Sequence, residues 1–248
     1  MRTPIVYTMG KVASSAISTA IRRTGRLVHD IHTLNDETLM REMRKAVDEN
    51  RFPNPHFCVS MAWKAREITI RQRAVYISLV RDPVARNISA YFQNLWRFVD
   101  KLDGGDRAEV DAYVDDFINR YPHHFPVNWY DREYKEFLDI DIYAGVFRTQ
   151  NGYQLSHHER VVIFRVDTPD EVKSRILTKV LGFDVEVQRA NEAAEKAYSD
   201  DYEAVRALVQ LEAPLLDQIY GSQFVRHFWD DDEIEAMRAR WLAPNSQI

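Results

Sequence analysis

Residues 74–80, AVYISLV, run for seven positions without a charged side chain. A strand with one face in water alternates apolar and polar residues. A run apolar on both faces must be covered from both sides, as in the middle of a parallel sheet. PIVYT (4–8), HFCVSM (56–61) and RVVIFRV (160–166) read as strands of the same kind, and RLVHDIHTL (26–34) holds another. Helical patterns separate them. Ala16, Ile17, Ala20 and Ile21 share one face before Gly25 stops the turn, and Asn35 or Asp36 caps a helix to about Val47. Pro83 opens a helix towards Val99, and others are expected from Pro169 to Leu181, from Asp200 to Tyr220 with Pro214 as a break, and from Asp231 to Trp241. Alternating strands and helices imply right-handed crossovers. The expected fold class is therefore α/β, in three layers, with helices on both faces of a mostly parallel sheet of four to five strands. The helical, more polar segment 104–147 reads as an insertion over one end of that sheet, within one domain spanning residues 1–248.

At 248 residues, 45% hydrophobic and 12% aromatic, the chain has ample material for a packed core. Its formal charge of −5 argues against generic nucleic-acid binding, which calls for a basic stripe, so any anion site must be local. The single cysteine, Cys58, reads as a small buried residue and excludes an intramolecular disulfide framework, in keeping with a reducing compartment. No apolar run reaches the roughly 18–20 residues of a membrane span, and the first strand starts too early for a signal peptide. The expectation is a soluble cytoplasmic protein.

The loop after the first strand, MGKVASS (9–15), places a glycine, a lysine and very small residues where a parallel sheet collects ligands. Gly10 and Ala13 let the backbone approach a ligand, Ser14 and Ser15 add hydroxyls, Lys11 adds a charge, and the following helix offers its N–H groups. Together these suit a phosphate or sulfate. A nucleoside-triphosphate loop, G-x-x-x-x-G-K-[ST], does not fit: Ile5 holds its first glycine position and Val12 follows the lysine. An ordinary strand-to-helix turn with a solvated lysine is the plain alternative. A second element, VRDPVARNIS (80–89), puts Arg81 at a strand end and Ser89 on the following helix, where a guanidinium fork and a hydroxyl can grip a second phosphate. Its plain alternative pairs Arg81 with Asp82 in a helix cap.

The two elements together resemble the signature of sulfotransferases that use 3′-phosphoadenosine 5′-phosphosulfate: K-x-G-[ST]-[ST] after the first strand and R-[ND]-P-x(5)-S after a later one. The matches are Lys11, Ser14 and Ser15, then Arg81, Asp82, Pro83 and Ser89, with Ala13 replacing the usual glycine. NWYDREYKEFLDIDIY (128–143), NEAAEKAY (191–198) and VRHFWDDDEIEAM (225–237) further resemble a bacterial branch of that superfamily labelled as capsular polysaccharide synthesis proteins. The resemblance implies a P-loop-like sulfotransferase fold. It gives the first loop, Gly10, Lys11, Val12, Ala13, Ser14 and Ser15, to the 5′-phosphosulfate, and Arg81 and Ser89 to the 3′-phosphate. 3′-Phosphoadenosine 5′-phosphate would be the product, and no metal is required.

Lys11 is then the group that steadies the leaving phosphate oxygen. Trp63 could stack adenine, though core packing explains it more simply, and Asn191 and Lys196 could form a late lid or merely open a charged helix. The base that takes the acceptor's proton is sought among His56, Glu67, His123, His124, Glu133 and His227, with Glu133 and His124 favoured because they lie in the insertion. Taken singly, each is more simply read as an ordinary solvated or capping residue. The expected activity is sulfuryl transfer to a hydroxyl or amine of a carbohydrate or small metabolite. A kinase-like phosphotransferase and a non-catalytic nucleotide-binding scaffold in polysaccharide assembly are the alternatives.

Overall fold

A computed structural model describes residues 2–70, 73–95, 107–188 and 206–243. They divide into two compact units, the first formed by Met1–Val80 and Trp129–Arg189, the second by Arg81–Asn128 and Ala190–Ile248.

The first unit carries a five-stranded sheet: β1 (Thr3–Tyr7), β2 (His29–Ile31), β3 (Ala74–Val80), β4 (Tyr153–Ser156) and β5 (Val161–Arg165). Their order is β2-β1-β3-β5-β4, parallel throughout except for β4, which runs antiparallel to β5 at the edge. All seven residues of β3 are buried, as a strand covered on both faces requires. α1 (Ser15–Arg23) links β1 to β2. α2 (Asp36–Asp48) and α3 (Pro55–Ile70) then carry the chain back past β1 to β3. The strand order reverses direction at β1, so the carboxyl ends of β1 and β3 flank the topological switch point, where open α/β sheets bind ligands. α8 (Asp170–Leu181) follows β5. Asn35 caps α2 as expected, its side chain accepting from Thr38 N at 3.0 Å.

Three sequence expectations need correction here. HFCVSM is not a strand: it lies in α3, which begins at Pro55 with the Asn54 carboxamide accepting from His56 N at 3.0 Å. Proline in the first turn after an asparagine is a helix start, and a short apolar run carries too little periodicity to outweigh it. Cys58, expected to be buried, is consequently exposed on that helix. β4 was absent from the expected strands because YQLS is short, and at an edge it needs no apolar run.

The second unit is helical among the described residues. It holds α4 (Pro83–Leu95), α5 (Arg107–Arg120), the start of α6 (Phe125–Tyr130), and three further helices over Ala213–Tyr220, Gln223–Phe228 and Asp231–Trp241. The helix expected to break at Pro214 is interrupted at residues 209–212, and Pro214 lies in the first turn where it resumes, since proline is compatible with that turn. Asp230 and Glu233 close a capping box on the last. Back in the first unit, α6 runs into a π-helical turn, Asp131–Lys135, and a final turn, α7 (Glu136–Leu138). No helix among the described residues is long and apolar enough to cross a membrane.

Candidate functional site

The loop between β1 and α1 takes an uncommon backbone course. Gly10 has φ +75°, and Lys11 and Ala13 follow at +60° and +57°. The left-handed region costs a non-glycine residue about 1–2 kcal/mol, so two such residues in four positions make the loop a store of strain. The strain is held by burial on either side, since Met9 and Val12 are core residues. Ala13 is left-handed and Ser14 right-handed (φ −69°), the pairing in which successive N–H groups turn into one concavity and make an anion nest. Ser14 stands at the N-cap of α1, where its carbonyl accepts from Ile17 N and Ser18 N, both at 3.1 Å, while its hydroxyl makes no capping bond. The first turn of α1 contains no acidic residue, whereas α2 opens with Asp36 and Glu37 and α8 with Asp170 and Glu171. Negative side chains neutralise the positive end of those two helices; at α1, as at α3, α4 and the helix over Ala213–Tyr220, no acidic residue stands in the first turn.

Beneath the loop, Glu133 is 3% exposed on the π-helical turn. Its carboxylate accepts from Tyr7 Oη at 2.5 Å, Thr33 Oγ1 at 2.7 Å and Leu34 N at 2.8 Å. These donors sit at the ends of β1 and β2, so one buried acid pins both strand ends. Tyr134 Oη donates to the Tyr7 carbonyl at 3.1 Å, and Tyr130 Oη to Ser78 Oγ on β3 at 2.8 Å. Burial, and then the adjacent Glu133 charge, hold the Tyr7 phenol well above its usual range, so it remains a donor. The π-helical geometry inserts one residue per turn and brings Glu133, Tyr134 and Tyr130 together below the switch point.

His32, which the sequence reading passed over, lies against the loop. A Cβ added to Gly10 would stand 3.9 Å from its Cδ2, Cε1 and Nε2 atoms. Its Nδ1 is 2.9 Å from the Thr8 carbonyl oxygen, which can only accept. Nδ1 therefore carries the proton of the neutral ring, and Nε2 is the basic nitrogen. The His56 ring packs 4.9 Å from it. HDIHTL held the signal in the form of a histidine one residue beyond a strand end.

In the second unit, Asp82 caps the start of α4, as the plain reading of RDP as a helix cap suggests. Its Oδ1 accepts from Tyr220 Oη at 2.8 Å and Val84 N at 3.0 Å, and its Oδ2 from Trp241 Nε1 at 2.9 Å. It starts α4 and ties that start to two C-terminal helices. Arg81 and Ser89 are half-buried. Arg86 is buried, donates to Asn87 Oδ1 at 3.1 Å and Tyr121 Oη at 3.3 Å, and lies 4.6 Å over the Phe125 ring. Burial holds its guanidinium below its ordinary value, and the charge of Arg81 pushes the same way, so this unit sets two cations within each other's field.

The remaining residues singled out from the sequence are spread more widely. Trp63 is 2% exposed and packs on His29, a core position that offers no open ring face. His124 is exposed on the second unit, and His123 is buried there with Nε2 3.1 Å from the Ile118 carbonyl. Asn191, Lys196 and the side chain of Glu67 lie outside the described residues.

Residues 114–230 match a family model described as "NKWYS: Putative capsular polysaccharide synthesis protein". The match covers a little under half of the chain. It includes the π-helical turn with Glu133 but neither the β1 loop nor Arg81 and Ser89. No curated protein and no solved structure matches the chain.

Proposed function

We propose that this chain transfers a sulfuryl group from 3′-phosphoadenosine 5′-phosphosulfate to a hydroxyl of a saccharide, with a P-loop-like sulfotransferase fold, in the making of a capsular polysaccharide. The observation that carries the reading is the backbone of residues 10–14, whose left-handed Gly10, Lys11 and Ala13 form a nest at the switch point of a parallel sheet. Left-handed Ala13 stands where the resembling sulfotransferases carry glycine, so the backbone keeps the conformation that glycine would favour. The similarity of residues 114–230 to a capsular synthesis family supports the saccharide acceptor.

In the reaction, the acceptor oxygen bonds to sulfur as the bond between sulfur and the bridging oxygen of the 5′-phosphate breaks. The electron pair stays on the phosphate and the acceptor's proton passes to a base. The amides of residues 13–15 hold the 5′-phosphate, and Lys11 meets the charge that grows on the bridging oxygen. Arg81 and Ser89 take the 3′-phosphate, and an anion there relieves the mutual repulsion of Arg81 and Arg86. His32 replaces Glu133 and His124 as the proton acceptor of choice. The Glu133 carboxylate is committed to three donors, whereas His32 lies on Gly10 with Nε2 as its basic nitrogen. Glu133 then acts as a positioning residue.

Transfer of labelled sulfate from the donor to a panel of saccharides tests this reading. Lys11→Ala is expected to lower turnover at saturating donor by about a hundredfold or more. Absence of transfer by the unaltered protein across the panel, or a Lys11→Ala variant of undiminished turnover, would overturn it.

A further inference from the structure

A second feature of the first unit lies along the same edge of the sheet. At the carboxyl end of β5, a cavity of about 290 Å³ is bordered by the turn Thr149–Asn151, the start of β4, Arg165 and Asp167, and the first turns of α8. β5 is two strands from β1, about 10 Å at the usual spacing of strands. We propose that this cavity is a subsite for an acidic saccharide, a sugar ring whose carboxylate pairs with Arg175. The word saccharide rests on the proposed function; the cavity and its charge do not.

The walls are fixed by the backbone. Gly152, at φ +69°, packs so closely on Thr168 that a Cβ there would stand 2.6 Å from Thr168 Oγ1. The Gly152 carbonyl accepts from that hydroxyl at 2.6 Å and from Arg165 N at 3.0 Å. The charge is also fixed. Arg165 holds both oxygens of Asp167, Nε to Oδ1 at 3.0 Å and Nη2 to Oδ2 at 2.6 Å, and this bonding keeps the Asp167 carboxyl below the usual carboxylate range. The pair cancels. The remaining formal charge of the lining is that of Arg175, which has no carboxylate partner among the described residues.

The polar lining suits a sugar. The amides of Gln150 and Asn151 and the Thr149 hydroxyl offer both donors and acceptors to ring hydroxyls, and the Tyr153 ring offers a flat surface to the apolar face of a pyranose. The volume sits near the lower end for ligand cavities, about 300 Å³, which fits one sugar unit of a chain that continues outside. Every residue of the lining, from Thr149 to Arg175, falls within the span matched by the capsular synthesis family. The larger cavity of the second unit, about 420 Å³, sets Asp217 and Asp231 against Arg226 and Arg238, with Arg238 paired to Asp217. It carries no such net charge.

The experiment is a set of NMR titrations of the isotope-labelled full chain with glucuronic acid, glucose and acetate in parallel. Glucuronic acid is expected to shift the backbone signals of Asn151, Gly152 and Tyr153 saturably, with glucose and acetate each at least tenfold weaker. Arg175→Gln should reduce glucuronic acid to the level of glucose, and Asn151→Ala should weaken both sugars. Three results would overturn the proposal: acetate binding as well as glucuronic acid, glucose binding as well as glucuronic acid, or an Arg175→Gln variant with unchanged affinity. If adenosine 3′,5′-bisphosphate binds the loop while glucuronic acid leaves the cavity signals unmoved, this inference fails and the transfer reading stands. Glucuronic acid bound here by a chain without transfer activity would support the cavity and sink the transfer reading.

Discussion

The ends of β1 and β3 are built in opposite ways. After β1 the chain is held in a costly backbone conformation, with left-handed Lys11 and Ala13 turning small residues outward over a buried Val12. After β3 it is held by side chains: the carboxylate of Asp82 gathers Val84 N, Tyr220 Oη and Trp241 Nε1. The first arrangement costs stability, and under the proposed function that cost aims amides at a ligand. The second adds stability and gives Arg81 a rigid neighbour. The strain after β1 motivates the proposed function, whereas the satisfied carboxylate after β3 acts as a support.

The largest expected effect tests the support under the loop. Glu133→Ala strands three buried donors and should cost about 4 kcal/mol by denaturant unfolding, whereas Glu133→Gln, which still accepts from most of them, should cost only about 1 kcal/mol. Equal losses would show that the carboxylate does not organise the strand ends. Asp82→Ala comes next, with an expected loss of about 2–3 kcal/mol, because Asp82 is itself half-buried and water can reach part of the gap it leaves. An Asp82→Ala variant as stable as the parent would remove the contrast between the two regions.

Ala13→Gly should act in the opposite direction. Relief of about 1–2 kcal/mol of left-handed strain, less about 0.4–1 kcal/mol for the freer unfolded chain, leaves a gain of about 0.5–1 kcal/mol in the same measurement. A loss would mean that the loop is not strained at that residue. The smallest effect concerns pH. Burial holds His123 below its usual range, so the folded second unit favours the neutral ring. The unfolded chain takes up the proton first, near pH 6.5, and stability is therefore complete above that pH and falls as pH drops from there towards the folded value. Comparison of melting between pH 7.5 and 5.5 in the parent and in His123→Gln should show a shallower decline in the variant.

Much of the scaffold was legible in the sequence because its signals are local. AVYISLV became β3 at the expected residues, Asn35 capped α2, and Asp231–Trp241 formed as expected. The α3 helix was missed because HFCVSM is too short for periodicity to outvote its apolar character, and only Asn54 and Pro55 marked the start. The loop was legible as a loop, but not its strain, since nothing in a lysine or alanine announces a positive φ. The supports were illegible for a different reason. Glu133 meets Tyr7 across 126 positions and Thr33 across 100, and Asp82 meets Trp241 across 159. Such partners come together only when the sheet order is known. His32 belongs to the same class: its importance arises from lying over Gly10, a contact made by the crossover from β1 to β2.

The central claim is that the strained β1 loop is an anion cradle selective for adenosine 3′,5′-bisphosphate groups. Thermal melting with 3′-phosphoadenosine 5′-phosphate, set against ADP and ATP with magnesium, tests it directly in the parent and in Lys11→Gly. At about 100 times its dissociation constant the bisphosphate should stabilise the parent by about 2.7 kcal/mol, well beyond either comparison nucleotide, and the response should vanish in Lys11→Gly although that variant's loop is relaxed. A shift as large with ATP, or a Lys11→Gly variant that responds like the parent, would contradict the account.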